Sequence, residues 1–306
     1  MQFDHQKRAL IACLTSEQSV LLEQEPMKRH TTFRVGGSAR FFAIPATEGD
    51  LCNLLQAAKT LELEVYLLGN GSNLLVSDAG VDGLVIATEG LCELSRAEDA
   101  VYAGAGCSLA RIGAFAREES LTGMEALSGI PGTVGGAVVM NAGAYGTELK
   151  DVLEWARVLD ENGEILTVKG EDLALGYRTS CVDEKGWIVL GAKFRLTPGD
   201  SEAIRARMAE LSASRREKQP LNYPSAGSTF KRPTGYFAGK LIQDAGLKGF
   251  CVGGAQVSEK HSGFVINKGD ATAKDIMQLC QAIREKVRAD FGVELEMEVR
   301  RWGNFD

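Results

Sequence analysis

The chain has 306 residues, of which 44% are hydrophobic, 25% are charged and 7% are aromatic. This composition excludes a disordered chain, a fibrous repeat and a membrane protein, and the length suits two or three small domains that share a ligand. The formal net charge of -7 argues against a nucleic-acid-binding surface but leaves room for an anionic small ligand in a local basic pocket.

Helical and strand-like patterns alternate along the chain and predict an α+β fold with mixed sheets. The predicted helices cover residues 6–24, 47–63, 108–120, 201–218, 237–246 and 272–291. The predicted strands cover residues 39–46, 65–69, 74–78, 83–88, 155–160, 164–168, 188–196, 250–257, 263–267 and 294–302, with a further hairpin over 91–106. Asn162–Gly163 suits a two-residue hairpin turn, and Thr197–Pro198–Gly199–Asp200 is the clearest boundary signal.

Two glycine-rich segments indicate where a ligand lies. Residues 69–73 (Gly-Asn-Gly-Ser-Asn) follow an apolar strand, and the N–H groups of such a turn can bind a pyrophosphate, although a plain tight turn fits them too. Residues 128–146 contain six glycines interleaved with apolar residues that require burial, which no flexible linker has. The second segment indicates a large flat ligand against bare backbone, with close helix–sheet packing as the alternative.

Three polar residues are candidates for chemistry. Arg178 lies in a loop between strands and offers a planar fork for a carboxylate or phosphate. Ser228 follows a glycine without a G-x-S-x-G elbow, so it suits a proton donor better than an acylated nucleophile. Glu298 belongs to an alternating strand that places three glutamates on one face. A surface arginine, a turn serine and a solvated sheet face are the alternatives.

Cysteine and histidine usage predicts a reduced protein without a metal site. The seven cysteines are scattered without a C-x-x-C pair, and no signal-peptide or membrane-spanning apolar run occurs. The three histidines lie at no metal-ligand spacing. We therefore expect a cytoplasmic protein that binds no metal.

Taken in order, several motifs resemble one family of flavoenzymes. They are TTFRVGG, LLGNGSNLLVSD, SGIPGTVGGAVVMNAGAYGTE, GYRTS, AGSTFKRP, FAGKLIQDAGLKG and LEMEVRRWG. Each is weak alone, but the ordered set, from about His30 to Gly303, is similar to the UDP-N-acetylenolpyruvoylglucosamine reductases (UDP-N-acetylmuramate dehydrogenases). The chain resembles the shorter of the family's two types, because it runs directly into GFVIN without an extra substrate-covering segment.

The resemblance implies a fold and a set of cofactor contacts. After an N-terminal lead-in at residues 1–30, an FAD-binding domain of the vanillyl-alcohol oxidase and p-cresol methylhydroxylase type would span residues 31–198, with lobes at 31–90 and 91–198. Residues 199–306 would form the substrate domain. The implied FAD contacts are Arg34, Gly69, Asn70, Gly71, Ser72, Asn73, Leu74, Gly129, Ile130, Pro131, Gly132, Val134, Gly135, Gly136, Asn141, Ala142, Gly143 and Ala144.

The resemblance also implies a reaction of peptidoglycan synthesis. NADPH would reduce FAD, and the enolpyruvyl group of UDP-N-acetylglucosamine enolpyruvate would then take the hydride to give UDP-N-acetylmuramate. Arg178 would stabilise the enolate, a protonated Glu298 would hydrogen-bond the same oxygens, and Ser228 would deliver the proton. The implied substrate-side residues are Tyr145, Lys218, Lys240 and His261.

Two other functions remain open at this stage. An FAD-dependent alcohol or lactone oxidase could use the same fold, and its covalent flavin attachment would need a residue such as His30 or Cys107. A non-catalytic nucleotide-sugar binding protein is the second alternative, and the ordered Arg178, Ser228 and Glu298 argue against it. We expect a monomer that engages neither nucleic acid nor a membrane.

Overall fold

The structure, a computed structural model that describes residues 2–305, divides the chain into two compact units. Unit 1 consists of Met1–Leu22, Phe41–Asn70 and Gly83–Ser214. Unit 2 consists of Glu23–Arg40, Gly71–Asp82 and Arg215–Asp306. Each unit therefore gathers segments that are far apart in the sequence.

Helices and strands are mixed throughout, as the sequence predicts for an α+β protein. The helices are α1 (Gln2–Ala12), α2 (Glu48–Thr60), α3 (Leu109–Glu118), α4 (Val134–Met140), α5 (Cys181–Glu184), α6 (Ser201–Lys218), α7 (Ala238–Asp244) and α8 (Ala273–Phe291). The strands are β1 (Val20–Pro26), β2 (Ser38–Ile44), β3 (Val65–Leu68), β4 (Leu74–Val76), β5 (Val81–Ala87), β6 (Leu94–Ala97), β7 (Ala100–Gly104), β8 (Leu121–Thr122), β9 (Gly143–Ala144), β10 (Thr147–Glu148), β11 (Leu153–Leu159), β12 (Ile165–Lys169), β13 (Ile188–Arg195), β14 (Thr197–Pro198), β15 (Cys251–Val252), β16 (Ala255–Val257), β17 (Val265–Asn267) and β18 (Arg300–Trp302). No helix within residues 2–305 combines the length and the apolar character that crossing a bilayer requires.

The two largest sheets of the described residues have five and four strands. One is an antiparallel sheet of order β12-β11-β13-β7-β6, and α3 and α4 contact its strand β7. The core around this sheet includes the fully buried Phe194, Leu109 and Ile112. The other sheet has the order β1-β2-β5-β3, and its core includes Leu51 and Leu54 of α2. Burial of these apolar faces fixes the strand ends from which the glycine-rich loops leave.

Unit 2 is built around the long helix α8. Thr272 and Asp275 form a capping box at its start, and Gly292 ends it with a φ of +68°. Its buried face contacts the antiparallel sheet β15-β16-β17. Strand β4 pairs in parallel with β18, which joins residues 74–76 to the end of the chain. Residues 71–73, which directly precede β4, also belong to unit 2.

Several predicted elements differ in the structure; residues 250–257, for example, were predicted as one strand but form the antiparallel pair β15 and β16. The N-terminal helix ends at Ala12, because the Asp50 carboxylate accepts hydrogen bonds from the backbone N–H groups of Thr15 and Ser16 and leads the chain into a turn before β1. The predicted terminal strand pairs regularly only over Arg300–Trp302, because its partner β4 is three residues long, and Met297 makes an isolated bridge to Phe230.

The hairpin at Asn162–Gly163 also has a different turn. The Asp160 N–H donates to the Glu164 carbonyl at 3.0 Å, so residues 161–163 form the loop, and Gly163 has a φ of +84°. The Asp160 carboxylate accepts from the N–H groups of Asn162 and Glu164 at 2.9 Å and 2.7 Å. These bonds favour the three-residue loop with a glycine bulge over the two-residue turn.

Candidate functional site

Gly69, at the end of β3, lies against the glycine-rich tract within unit 1. A Cβ atom at this position would lie 2.4 Å from Thr133 Oγ1, a separation that real Cβ atoms do not tolerate. The next residue, Asn70, donates from Nδ2 to the Pro131 carbonyl at 2.9 Å. The loop and the tract therefore form one continuous backbone surface, without side chains at Gly69.

Thr133 has a buried hydroxyl that no group in residues 2–305 hydrogen-bonds. Its residue exposure is 7%, it is the N-cap of α4, and its side chain makes no capping bond. A Cβ atom on Gly136 would meet nothing closer than this hydroxyl, at 3.8 Å. A buried hydroxyl normally has a partner, so this group beside bare backbone fits a ligand rich in hydrogen-bonding atoms, such as FAD. The sequence did not single out Thr133.

The tract also contains the short helix α4, which the sequence did not predict. Val134, Ala137 and Val138 are buried on one face of this helix, and Asn141 ends it in the left-handed conformation with a φ of +42°. The Asn141 amide uses both of its N–H donors within the chain, at Glu148 Oε2 and the Gly176 carbonyl. We therefore expect any contact of Asn141 with FAD to come from its backbone.

Tyr145 stands at the turn between β9 and β10. Ala144 pairs with Thr147, and Tyr145 and Gly146 between them have φ values of +53° and +83°. The Tyr145 ring is exposed, and its hydroxyl donates to the Leu211 carbonyl at 3.4 Å. This turn holds an aromatic ring at the surface of unit 1, where the sequence predicts a substrate contact.

Arg178 lies in a loop of unit 1 that closes on itself. Gly176 N–H donates to the Thr179 carbonyl at 3.1 Å, and Arg178 has a φ of +57°. Its guanidinium carbon is 5.1 Å from the centroid of the Tyr177 ring, and the side chain is half-buried. The loop thus presents a cation in a conformation that non-glycine residues rarely adopt.

Unit 2 holds the second part of the first glycine loop. Gly71 has a φ of +58°, and a Cβ atom there would lie 2.0 Å from the His30 carbonyl oxygen. Asn73 donates from Nδ2 to the Glu298 carbonyl at 3.0 Å, and its own carbonyl accepts from Arg300 N–H. Arg34 is exposed with a φ of +57°. Asn73, a predicted cofactor contact, therefore binds the backbone of Glu298, a predicted catalytic residue.

Ser228 and Glu298 lie on neighbouring chain segments of unit 2. The Glu298 N–H donates to the Thr229 carbonyl at 2.9 Å, and Lys231 N–H donates to the Glu296 carbonyl at the same distance. Ser228 itself is exposed, whereas Glu298 is half-buried. The structure thus brings together two of the three predicted catalytic residues from positions 70 apart in the sequence, while Arg178 belongs to the other unit.

The remaining substrate-side candidates also belong to unit 2. Lys218, at the end of α6, is exposed, and Lys240 pairs with Asp244 one turn along α7. His261 accepts a hydrogen bond from Gly263 N–H at Nδ1, and its burial lowers the pKa of the imidazole. A neutral ring that accepts at Nδ1 carries its proton on Nε2, so His261 presents a neutral donor rather than a cation.

Comparisons with known proteins cover both units. Residues 39–169 match the family described as FAD binding domain, and residues 219–302 match UDP-N-acetylenolpyruvoylglucosamine reductase, C-terminal domain. A protein named UDP-N-acetylenolpyruvoylglucosamine reductase from Agathobacter rectalis is 55% identical over 93% of this chain and 95% of its own. Another of that name, from Geobacillus thermodenitrificans, is 47% identical over 98% of both chains.

A solved structure gives the same result for the fold. The crystal structure of UDP-N-acetylenolpyruvylglucosamine reductase from Thermus caldophilus is 35% identical in sequence and has a TM-score of 0.79. The match covers 94% of this chain and 99% of the solved chain. The similarity therefore spans the FAD-binding and C-terminal regions together.

Proposed function

The chain belongs to the UDP-N-acetylenolpyruvoylglucosamine reductase family, and from this premise we propose how its own residues carry out the reaction. It is an FAD-containing oxidoreductase. With NADPH it reduces the enolpyruvyl group of UDP-N-acetylglucosamine enolpyruvate, giving UDP-N-acetylmuramate for peptidoglycan.

The residues that would hold the cofactor come from both glycine-rich segments. When bound, FAD supplies the hydride carrier between NADPH and the enolpyruvyl group. We assign the ring system to the backbone of Gly69 and of residues 129–144, where the Thr133 hydroxyl, which lies close to Gly69, offers a hydrogen bond. Arg34 and residues 71–74 are the contacts that we assign in unit 2.

Arg178 acts at the carboxylate of the substrate. Hydride addition at the methylene carbon leaves negative charge on the neighbouring carbon, which spreads into the carboxylate as an enolate. A guanidinium that contacts both carboxylate oxygens stabilises the transition state, where this charge develops, more than it stabilises the bound substrate. Arg178 therefore lowers the barrier. Glu298 in its protonated form donates to the same oxygens, whereas its carboxylate form would repel them.

Ser228 delivers the proton that completes the reduction. The observation that carries this role is its exposed position on a segment paired with that of Glu298, through the Glu298 N–H to Thr229 carbonyl bond of 2.9 Å. An unassisted hydroxyl is a weak acid, so it protonates a carbon only when that carbon is strongly basic and close. The enolate meets this condition, and Ser228 therefore acts as the general acid.

Replacement of Ser228 by alanine tests this assignment. We expect flavin reduction by NADPH to stay within about twofold and reoxidation by the enolpyruvyl substrate to slow by at least about 100-fold, because only the second step needs the proton. Anaerobic stopped-flow absorbance measures the two half-reactions separately. Ser225→Ala, in the same loop, is the matched control and should leave both unchanged. Equal slowing of both half-reactions in Ser228→Ala would overturn the proton-donor role.

The oxidase alternative needs a covalent attachment that the two candidate residues suit poorly. Cys107 donates to the Glu93 carbonyl at 3.2 Å, and burial raises the pKa of its thiol, which disfavours the reactive thiolate. His30 lies with Nε2 3.0 Å from Glu25 Oε1. We therefore expect acid to release the flavin, and yellow colour retained by the denatured protein would favour the oxidase.

We further propose that the enzyme works as a monomer in the cytoplasm. The seven cysteines are all free thiols, which agrees with a reducing compartment. Its two substrates, the nucleotide sugar and NADPH, would both come from the cytoplasm.

A further inference from the structure

We propose that Glu148, together with the Asn141 side chain, is a positioning residue for Arg178. The inference rests on the proposed role of Arg178 at the substrate carboxylate. The two residues lie in unit 1, and they fix the loop that contains Arg178 (residues 176–179) relative to the glycine-rich tract. Neither residue donates or accepts a proton in the reaction that we propose.

The Asn141 amide joins three backbone segments. Its Nδ2 donates to Glu148 Oε2 at 3.1 Å and to the Gly176 carbonyl at 3.0 Å, and its Oδ1 accepts from Lys150 N–H at 3.1 Å. The residue is fully buried and has a φ of +42°, a conformation that asparagine tolerates better than most residues. The bridge therefore ties the end of α4 to the backbone two residues before Arg178.

The Glu148 side chain folds back toward Asn141 across Gly143. A Cβ atom on Gly143 would lie 2.9 Å from Glu148 Cγ, so glycine leaves the space that the carboxylate arm occupies. The carboxylate also forms an ion pair with Lys150 at 2.6 Å and accepts from the N–H of Asp151, the last residue of the short helical turn that follows. Glu148 is thus held in one place by neutral and charged donors together.

The carboxylate also acts on Arg178 through its charge. The hydrogen bond from Lys150, the bond from Asn141 and the positive charges of Lys150 and Arg178 lower the pKa of Glu148. Glu148 is therefore ionised at neutral pH, and its charge attracts the Arg178 guanidinium. The amide bridge to the Gly176 carbonyl holds the backbone of the same loop, so the two effects together restrict Arg178.

Such restriction matters because the Arg178 backbone is strained. Its φ of +57° is unfavourable for a residue with a Cβ atom, and such conformations persist only where the surroundings hold them. A loop free to relax would carry the guanidinium away from the carboxylate, and a displacement of about 1 Å can slow a reaction about 100-fold. The structure assigns Glu148 and Asn141 to prevent this relaxation.

Glu148→Gln separates the charge from the capping role. Glutamine keeps one oxygen that accepts from Asn141 but has no charge for Arg178. We expect reoxidation by the enolpyruvyl substrate to slow by about tenfold or more, while FAD content and reduction by NADPH stay unchanged. Lys150→Gln, which removes the ion pair but leaves the Glu148 charge, is the matched control and should change the reoxidation rate by less than about threefold.

A double-mutant cycle between Glu148→Gln and Arg178→Ala distinguishes the positioning role of Glu148 from the proposed function of Arg178. In an Arg178→Ala background, Glu148→Gln should cause no further slowing, because it acts through the arginine. If Arg178→Ala slows reoxidation but Glu148→Gln has no effect, or an additive one, the positioning role is wrong and the function of Arg178 stands. If Arg178→Ala leaves reoxidation unchanged, the role of Arg178 fails, and the inference fails with it.

A readout other than turnover tests the loop itself. Asn141→Gly keeps a residue that accepts positive φ but deletes the amide bridge. We expect trypsin to cut the holoenzyme after Arg178 faster in this variant than in the parent protein, and Lys150→Gln to match the parent. An unchanged cleavage rate in Asn141→Gly would overturn the bridge as the element that holds the loop.

Discussion

Several residues of the proposed site have backbone conformations, or a buried polar group, that lower the stability of a fold. Arg34, Asn141, Tyr145 and Arg178 have φ values of +57°, +42°, +53° and +57°, and the Thr133 hydroxyl is buried without a partner in residues 2–305. Each such feature costs about 1–3 kcal/mol, so it persists where contacts elsewhere compensate for it. Of the ten non-glycine residues with positive φ in the described part of the chain, these four belong to the segments that we assign to FAD and the substrate.

Thr133→Val provides a test of the buried hydroxyl. Valine has the same shape without the oxygen, so the free energy of unfolding of the FAD-free protein should stay equal or rise by about 1 kcal/mol. The Kd for FAD should rise about tenfold, because the cofactor loses a hydrogen bond. Urea unfolding and flavin fluorescence titration measure the two effects.

The matched control is a threonine whose hydroxyl already has a partner. Thr88 is buried and donates to the Leu68 carbonyl at 3.2 Å, so Thr88→Val should lower stability and leave the Kd for FAD nearly unchanged. An unaltered FAD affinity in Thr133→Val would show that its hydroxyl does not meet the cofactor.

At the scale of helices and strands, the sequence correctly predicts those whose ends carry a clear local signal, such as a capping box or a terminal glycine. Helix α8 begins at a Thr272–Asp275 capping box and ends at Gly292, and its predicted span of 272–291 differs from the structure by one residue. Helix α4 was missed because three of the positions in and just before it are glycines, which disfavour helices, and burial of Val134 and Val138 overrides that preference.

In the proposed site, too, some residues can be predicted from local sequence and others cannot. Gly69 and the glycine tract are predicted as cofactor contacts because the glycine excess is visible in the sequence. Thr133 and Glu148 were missed, because an unpartnered hydroxyl and a carboxylate folded toward Asn141 exist only after the chain has folded. The roles of Arg178, Ser228 and Glu298 come from family resemblance and remain predictions.

The turn after α1 depends on Asp50, a fully buried residue of α2. Its carboxylate accepts from Thr15 N–H and Oγ1 at 2.8 Å and 2.7 Å, and from Ser19 Oγ at 2.6 Å. Burial alone would raise its pKa, but the hydrogen bonds from Ser19, Thr15 and Ser16 outweigh burial and lower the pKa from 3.8 to about 2. One carboxylate therefore connects the N-terminal turn to helix α2.

This shift predicts an acid-dependent stability. Because the folded pKa is depressed, the contribution of Asp50 is complete above pH 4 and is lost as the pH falls toward 2, a change of about 2 kcal/mol. Asp50→Asn should lower the free energy of unfolding at pH 7 by about 2–4 kcal/mol and flatten its decline between pH 4 and pH 2. Urea unfolding across this range gives both quantities.

An exposed aspartate provides the comparison. The Asp82 side chain is 84% exposed and pairs with Arg40, so Asp82→Asn should change stability by less than about 1 kcal/mol. A loss in Asp50→Asn that is no larger than in Asp82→Asn would mean that the buried network does not hold the turn.

At the scale of the whole molecule, the chain interleaves its two units. Residues 23–40 and 71–82 join the C-terminal residues 215–306 in unit 2. Pairing of β4 with β18 holds them there, as do the hydrogen bonds from Ala273 and Lys274 N–H to the Asp78 carboxylate at 2.8 Å and 2.9 Å. No local sequence signal announces such pairing, because its partners lie about 200 residues apart.

This interleaving gives each unit part of the proposed chemistry. Unit 1 carries Arg178, Thr133 and the glycine tract, and unit 2 carries Ser228, Glu298 and residues 71–74 of the first glycine loop. The proposed mechanism assigns a role to residues of each unit. The complete reaction, rather than either half, therefore tests the account.

The most direct measurement is an anaerobic absorbance trace of the flavin band in the purified protein. We expect NADPH to bleach the band and UDP-N-acetylglucosamine enolpyruvate, added next, to restore it, with UDP-N-acetylmuramate formed in a stoichiometric amount. A band that bleaches but does not recover would contradict the assigned substrate. A protein that stays colourless after FAD is supplied would contradict the assignment of the glycine-rich segments, and the proposed function with it.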